Sequence, residues 1–188
     1  MDSFYSEEEL KQLGLKSLGE NVKISRKASF YGNEKIKIGS NVRIDDFCIL
    51  SGKIEIHNYV HIAAYTALYG GNDGIFIDDF VNISSKICIY SISDDYSGET
   101  MTSPLVPDKY KNVLSAAVII NKNTIIGTGC TILPGVEIAE GCAFGAMSLI
   151  NKSTHEFTIY AGIPARKIKE RKKDFLILEK NFLESAGK

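Results

Sequence analysis

An all-β solenoid of stacked triangular coils, a parallel β-helix, is the fold that this chain of 188 residues predicts, and three observations carry the prediction. Aliphatic side chains return every sixth residue: Ile38, Ile44, Leu50, Ile56, Ile62 and Leu68 in one block, and Ile120, Ile126, Ile132, Ile138, Phe144 and Ile150 (with one aromatic substitute) in another. An α-helix repeats at about 3.6 residues and a strand at about 2, so a run of sixes fits neither and calls for short strands joined at corners. A second column is locked to the first. Four residues after the aliphatic position stands a small or β-branched residue, as at Val42, Cys48, Val60, Thr66, Val81, Thr124, Cys130, Val136, Cys142 and Ser148. Each unit then forms one side of a triangle, aliphatic residue inward and small residue at the corner, and three units close a coil of about eighteen residues. The third observation is that both interruptions of the register fall on the same side of successive coils.

Taken in order, the elements begin with a short helix over residues 6–13. Ser6 is its N-cap, Glu9 completes a capping box, and Leu10 and Leu13 turn toward the first coil, which the helix lids before the stop at Gly14. Coils follow over about 18–89. The first interruption takes nine residues from Leu68 to Ile77, through Tyr69-Gly70-Gly71-Asn72-Asp73-Gly74, and the second takes thirty-one, from Ile89 to Ile120. Leu68 and Ile89 are three units apart, so both insertions are expected to leave the prism from one corner, one above the other. A long excursion costs closure entropy and adds no core, which makes it a functional candidate. The loop over 90–117 carries Tyr90, Ser93, Asp94, Asp95 and Tyr96, with Tyr69 beneath it, a composition suited to a polar ligand such as a sugar. Coils resume over 118–155. A second helix is expected over about 171–184, where Phe175, Leu178 and Phe182 recur at helical spacing and want a partner surface on the prism or a neighbouring subunit. The whole, 1–188, reads as one domain.

The formal net charge of -1 gives no overall attraction to nucleic acid. No apolar stretch approaches the roughly 18 residues of a membrane span, and no signal peptide is evident. Of the four cysteines, Cys48, Cys130 and Cys142 fall in the small corner column and Cys88 does not; corner filling rather than disulfides fits a cytoplasmic protein.

The repeats, the inserted loop, the stretch Leu133-Pro134-Gly135-Val136 within residues 126–136, and Ala161-Gly162-Ile163-Pro164-Ala165-Arg166 in the tail together resemble the hexapeptide-repeat acyltransferases, and within them the sugar O-acetyltransferases related to galactoside and maltose acetyltransferases. The resemblance implies a left-handed β-helix and a homotrimer. It also implies acetyl-CoA as co-substrate in grooves between subunits, with a sugar or sugar-nucleotide acceptor. Surface-polysaccharide biosynthesis is the setting it implies. It points to Gly127, Gly145, Ala146, Ala161, Gly162, Pro164 and Ala165 as the walls along the coenzyme, and to Arg166, Lys167 and Arg171 at its phosphates.

Transfer to a sugar hydroxyl requires a positioned base, and histidine has the suitable pKa. His57 and His155 read as exposed polar residues. His61 precedes the inward Ile62, so it points outward at a corner, with Asn82 and Ile125 above it in one column. The loop departs from the galactoside-type pattern: Ser93-Asp94-Asp95-Tyr96 stands where those enzymes carry a histidine second in a Ser-His-Asp-Tyr-like run. The expectation is therefore that His61 takes the proton while Asp94 and Asp95 orient imidazole and acceptor across a subunit interface. Two other functions fit the same residues: N-acetylation of a nucleotide-linked amino sugar, and a non-catalytic assembly or binding subunit. A metalloenzyme on this solenoid needs three converging histidines, which the spacing of His57, His61 and His155 opposes, so no metal is expected.

Overall fold

The computed structural model describes residues 3–186. Coil stacks on coil through parallel pairing, and the six-residue repeat sets the register. On the first face Ile44, Ile62, Ile83, Ile126, Phe144 and Tyr160 lie one above another. The second and third faces join into one ten-stranded sheet because the strands Ile49–Ile56 and Ala67–Ile77 run unbroken around their shared corner. All twelve residues of the two six-spaced blocks are at most 5% exposed, and the ten corner residues at most 2%. Each large aliphatic side chain so buried is worth roughly 1.5–3 kcal/mol, and the solenoid's stability accumulates coil by coil.

The corners explain the odd residues between the columns. Phe47, Tyr65, Lys86 and Met147 all adopt left-handed backbone with φ between 60° and 64°, and Tyr59 and Phe80 do so at another corner with φ of 57° and 58°. L-residues pay about 1–2 kcal/mol for that conformation. Stacking offsets the strain: the Phe47 and Tyr65 rings lie 5.0 Å apart and the Tyr59 and Phe80 rings 4.8 Å apart. The hydrogen-bond ladder also continues through the turn, with Tyr65 N donating to Asp46 O and Lys86 N to Ala64 O.

The N-terminal helix α1 spans Glu7–Gln12, capped reciprocally by Ser6 and Glu9, and its buried Leu10 belongs to the core. The C-terminal helix α2 spans Phe175–Ala186, starting four residues after the predicted 171. The delay has a cause: Arg166–Glu170 is a strand that doubles back antiparallel on Thr158–Ala161. Helix α2 then lies along a prism edge, where Glu179 pairs with Lys122 and accepts from Asn123, and the Phe182 ring meets Tyr59 edge-on at 5.3 Å.

The two interruptions behave differently from each other. The nine-residue one does not leave the prism; it is absorbed as a bulged stretch within Ala67–Ile77, still paired with Ile49–Ile56, with only Asn72 and Asp73 exposed. Glycine makes that possible, since a Cβ on Gly70 would sit 2.1 Å from Lys53 O. The longer one does leave, through a neck in which Ile92–Ser93 pairs antiparallel with Leu114–Ser115. The Ser115 hydroxyl donates to Asp73, tying the neck to the bulge below.

Candidate functional site

Two outward columns run up the first face, one on each side of the buried Ile62, Ile83 and Ile126. The first is Arg43, His61, Asn82, Ile125 and Ala143, in direct register. The second continues the chain past each buried residue as Asp45, Ala63, Ser84, Gly127 and Gly145, linked by Asp45 N→Ile62 O and its successors up the stack. His61 Nε2 lies 2.8 Å from Asp45 Oδ2, and Arg43 Nε donates to Asp45 Oδ1 at 2.7 Å. A carboxylate accepts, so Nε2 carries the proton and a neutral ring presents Nδ1 as its basic atom. Burial pushes the Asp45 carboxyl up, but the hydrogen bonds from His61 and Arg43 outweigh it and hold the group below the usual carboxylate range. The acid that orients His61 within this chain is therefore Asp45, not Asp94 or Asp95. Its signal was present in the sequence: Arg43 stands one coil below His61, and Asp45 is the next outward residue on that strand.

The loop acids divide the work between them. Asp95 accepts from Ser97 N at 2.8 Å, Thr100 N at 3.0 Å and Thr100 Oγ1 at 2.8 Å. The bonds from Ser97, then Thr100, pull its carboxyl down to about 2. A carboxylate so committed organises the loop and makes a poor proton acceptor. Asp94 is exposed, as is Tyr96 at 93%, while Ser93 Oγ donates to Asp94 O. Tyr69 and Tyr90 stack with centroids 5.1 Å apart at the foot of the loop, and burial, then Cys88, pushes the Tyr90 phenol up. These residues leave the edge between the second and third faces, whereas His61, Asn82 and Ser84 occupy the first face. One chain does not bring the two groups together.

The expected coenzyme residues also separate. Gly127 and Gly145 are small for a reason internal to the fold: a Cβ on Gly127 would lie 2.7 Å from Phe144 O and Ala146 N, and one on Gly145 3.0 Å from the Ala161 Cβ. Arg171 is committed elsewhere. Its Nη1 donates to the carbonyls of Asn123, Gly141 and Cys142, and its guanidinium lies over the Phe175 ring, so it fastens the tail to the prism instead of awaiting a phosphate. Arg166 and Lys167, by contrast, line a hollow of about 360 Å³ at the C-terminal end of the prism with Lys152, His155 and Ala165. Gly162 N donates to Ser148 Oγ and Ala165 N to Leu149 O, which fixes the turn containing Pro164 beside that hollow. Ala146 is exposed and Ala161 half-buried. Cys48, Cys130 and Cys142 are free and buried, and burial pushes the Cys48 thiol up to about 11, so they act as corner packing. His57 pairs with Asp78 at 3.2 Å, and the neighbouring Asp79 accepts from Asn58. Among the described residues no helix is long and apolar enough to cross a membrane.

The chain is thus a triangular parallel solenoid with a cationic hollow at one end and an acidic loop above the middle coils, and comparison with known proteins supplies its class, an acyltransferase. No family model matches the chain. A dTDP-4-amino-4,6-dideoxy-D-glucose acyltransferase of Escherichia coli is 49% identical over 187 residues, 98% of this chain and 97% of that protein. AntD, an N-acyltransferase from Bacillus cereus solved with dTDP and 3-hydroxybutyryl-CoA, is 54% identical with a TM-score of 0.98 over 100% of both chains. AntD has also been solved as S84A with dTDP-4-amino-4,6-dideoxyglucose and coenzyme A, and as D94A with dTDP and coenzyme A. A hexapeptide-repeat acetyltransferase from Vibrio cholerae, solved with acetyl-CoA, shares the fold at 18% identity, with a TM-score of 0.61 over 88% of this chain and 78% of that one. The chain belongs to the hexapeptide-repeat acyltransferases, and the left-handed winding implied by the resemblance holds. Of the two acceptors expected from the sequence, a sugar hydroxyl and the amine of a nucleotide-linked sugar, the relatives spanning the whole chain favour the second, being named for an amino sugar or for N-acylation.

Proposed function

We propose that this enzyme transfers an acyl group from an acyl-coenzyme A to the amine of a dTDP-linked 4-amino-4,6-dideoxy sugar. The observation that carries the reading is Asp94, standing where the resembling O-acetyltransferases have histidine, in a chain about half identical along its length to proteins of that acceptor class. The chemistry supports the exchange. A sugar hydroxyl needs a base in the transition state, whereas an amine with a pKa of roughly 8 sheds its proton to solvent near neutrality and attacks unaided. A carboxylate then suffices to attract and orient it.

In this reading the amine nitrogen bonds to the thioester carbonyl carbon, a backbone N–H stabilises the oxyanion, and the C–S bond breaks. The proton leaving nitrogen ends on the departing sulfur, giving an amide and free coenzyme A. Asp94 accepts a hydrogen bond from the amine, and Ser84, the residue in this chain at a position altered in AntD, lies on the first face one coil above the His61 level. His61, held by Asp45, and Asn82 line the acceptor side, as do Tyr69, Tyr90, Ser93 and Tyr96. Arg166 and Lys167 hold coenzyme phosphates, and the outward corners at Gly127, Gly145, Ala146 and Ala161–Ala165 line the pantetheine arm. Because Asp94 and Ser84 occupy different parts of one prism, the site is completed between subunits of a trimer, the loop of one crossing to the first face of the next. The setting is cytoplasmic supply of acylated sugar for surface polysaccharide. Mass spectrometry after incubation with dTDP-4-amino-4,6-dideoxyglucose and acetyl- or 3-hydroxybutyryl-CoA tests the assignment. An acylated amino sugar is expected; its absence with both donors overturns it.

A further inference from the structure

At the start of the third face the side chains of Lys16, Lys35, Lys37 and Lys53 converge with Glu55 and Asn72 on one hollow of about 270 Å³. Among the described residues only Lys37 of the four is matched by a carboxylate, Glu55 at 2.9 Å, and that acid is shared with His57. The Lys53 ammonium lies 5.2 Å from the centroid of the Phe76 ring. For Lys16 and Lys35 no carboxylate stands within ion-pair distance among the described residues. A chain with a net charge of -1 has acids enough to neutralise such a group. Instead, an excess of positive charge is gathered around one concavity, which raises the local concentration of anions there. Ammonium groups on flexible stems suit phosphate oxygens.

The hollow is joined to the loop. Asn72 lines it from the glycine-rich bulge, and the next residue, Asp73, accepts the hydrogen bond from Ser115 in the loop neck. Both lie on the same prism edge. Lys53 is two coils below the loop's exit, roughly 10 Å at about 4.8 Å per coil. A nucleotide-linked sugar carries its diphosphate between sugar and nucleoside, so a sugar held between Asp94 and the next subunit's first face has this edge, below the loop's exit, open to its phosphates. We infer that the lysine hollow is the diphosphate subsite for the acceptor, which rests on the proposed acceptor class and assigns it a second binding region far from the coenzyme hollow.

The test replaces Lys35 and Lys53 together with Gln, and separately with Arg, and measures binding of dTDP, inorganic pyrophosphate and coenzyme A by calorimetry alongside KM for the amino sugar nucleotide. The Gln pair is expected to weaken dTDP binding and raise KM at least tenfold, with coenzyme A affinity and the melting transition unchanged; the Arg pair restores most of the affinity. Undiminished dTDP binding by the Gln pair overturns the inference while leaving N-acylation standing. A wild-type protein that acylates no amino sugar yet binds dTDP or pyrophosphate through these lysines keeps the hollow as an anion site and overturns the acceptor instead. Wild-type protein that binds neither probe overturns the hollow.

Discussion

In the coils, Leu68 and its stacked partners are fully buried and each strand's backbone is answered by the coils above and below; in the loop beyond the neck, Tyr96 and Leu105 are more than nine-tenths exposed and Asp95 bonds within its own turn. The contrast separates two kinds of requirement. A coil residue is chosen by the space its neighbours leave, and that demand recurs every six residues. A loop residue is chosen by what it meets outside the chain. Stability and chemistry should therefore respond to substitution in different regions, and each test below breaks or sharpens that division.

The largest effect is expected at Asp94. Asp94→Ala should lower turnover of the amino sugar roughly a hundredfold or more, as loss of an orienting group does, while the thermal transition stays where it is. A lowered transition with normal activity per folded molecule would erase the contrast. Leu68→Ala should do the reverse, costing about 2–5 kcal/mol in urea unfolding as a buried cavity opens while the folded fraction still turns over. Gly127→Ala should cost about 1–3 kcal/mol by overpacking, because its new Cβ meets Phe144 O and Ala146 N; an unchanged urea midpoint would show that this corner yields. His61→Asn should reduce kcat less than tenfold with an amine acceptor. A drop of 10²–10⁴-fold, the usual worth of a general base, would return the proton transfer to the imidazole.

The smallest effect is a local one with pH. Asp95 is held at about 2 in the folded loop, below the roughly 3.9 of a free aspartate. A lowered folded pKa contributes order that is complete above the free value and is lost as pH falls through the folded one. Hydrogen exchange at Ser97 and Thr100 should thus stay protected at pH 5 and lose relative protection between about pH 4 and 2, and Asp95→Ala should lose it at every pH.

What could be read from the sequence follows the same division. The aliphatic and corner columns were legible residue by residue, since packing repeats at a fixed interval and each unit tests the last. The Ser6 and Glu9 cap was legible because its bonds span three residues. The Asp45–His61 pair was not legible as a contact, only as neighbouring column positions, since it joins residues 16 apart through one coil's side-chain geometry. Nor was the commitment of Arg171 to three carbonyls of other coils, which a run of basic residues conceals. The nine-residue break looked like an excursion because a change of period marks where regularity ends without saying whether glycines let the strand bulge and stay paired. The acceptor's chemistry was not legible, because the histidine missing from the loop fits equally a base relocated to His61 and an acceptor that needs no base.

The most direct test is the bond made in the product. Purified enzyme given acyl-CoA, dTDP-4-amino-4,6-dideoxyglucose and the matching sugar nucleotide with a hydroxyl in place of the amine should form only a base-stable amide, seen by NMR at the amino-bearing carbon. An alkali-labile ester as the main product, or faster turnover of the hydroxyl compound, would contradict it.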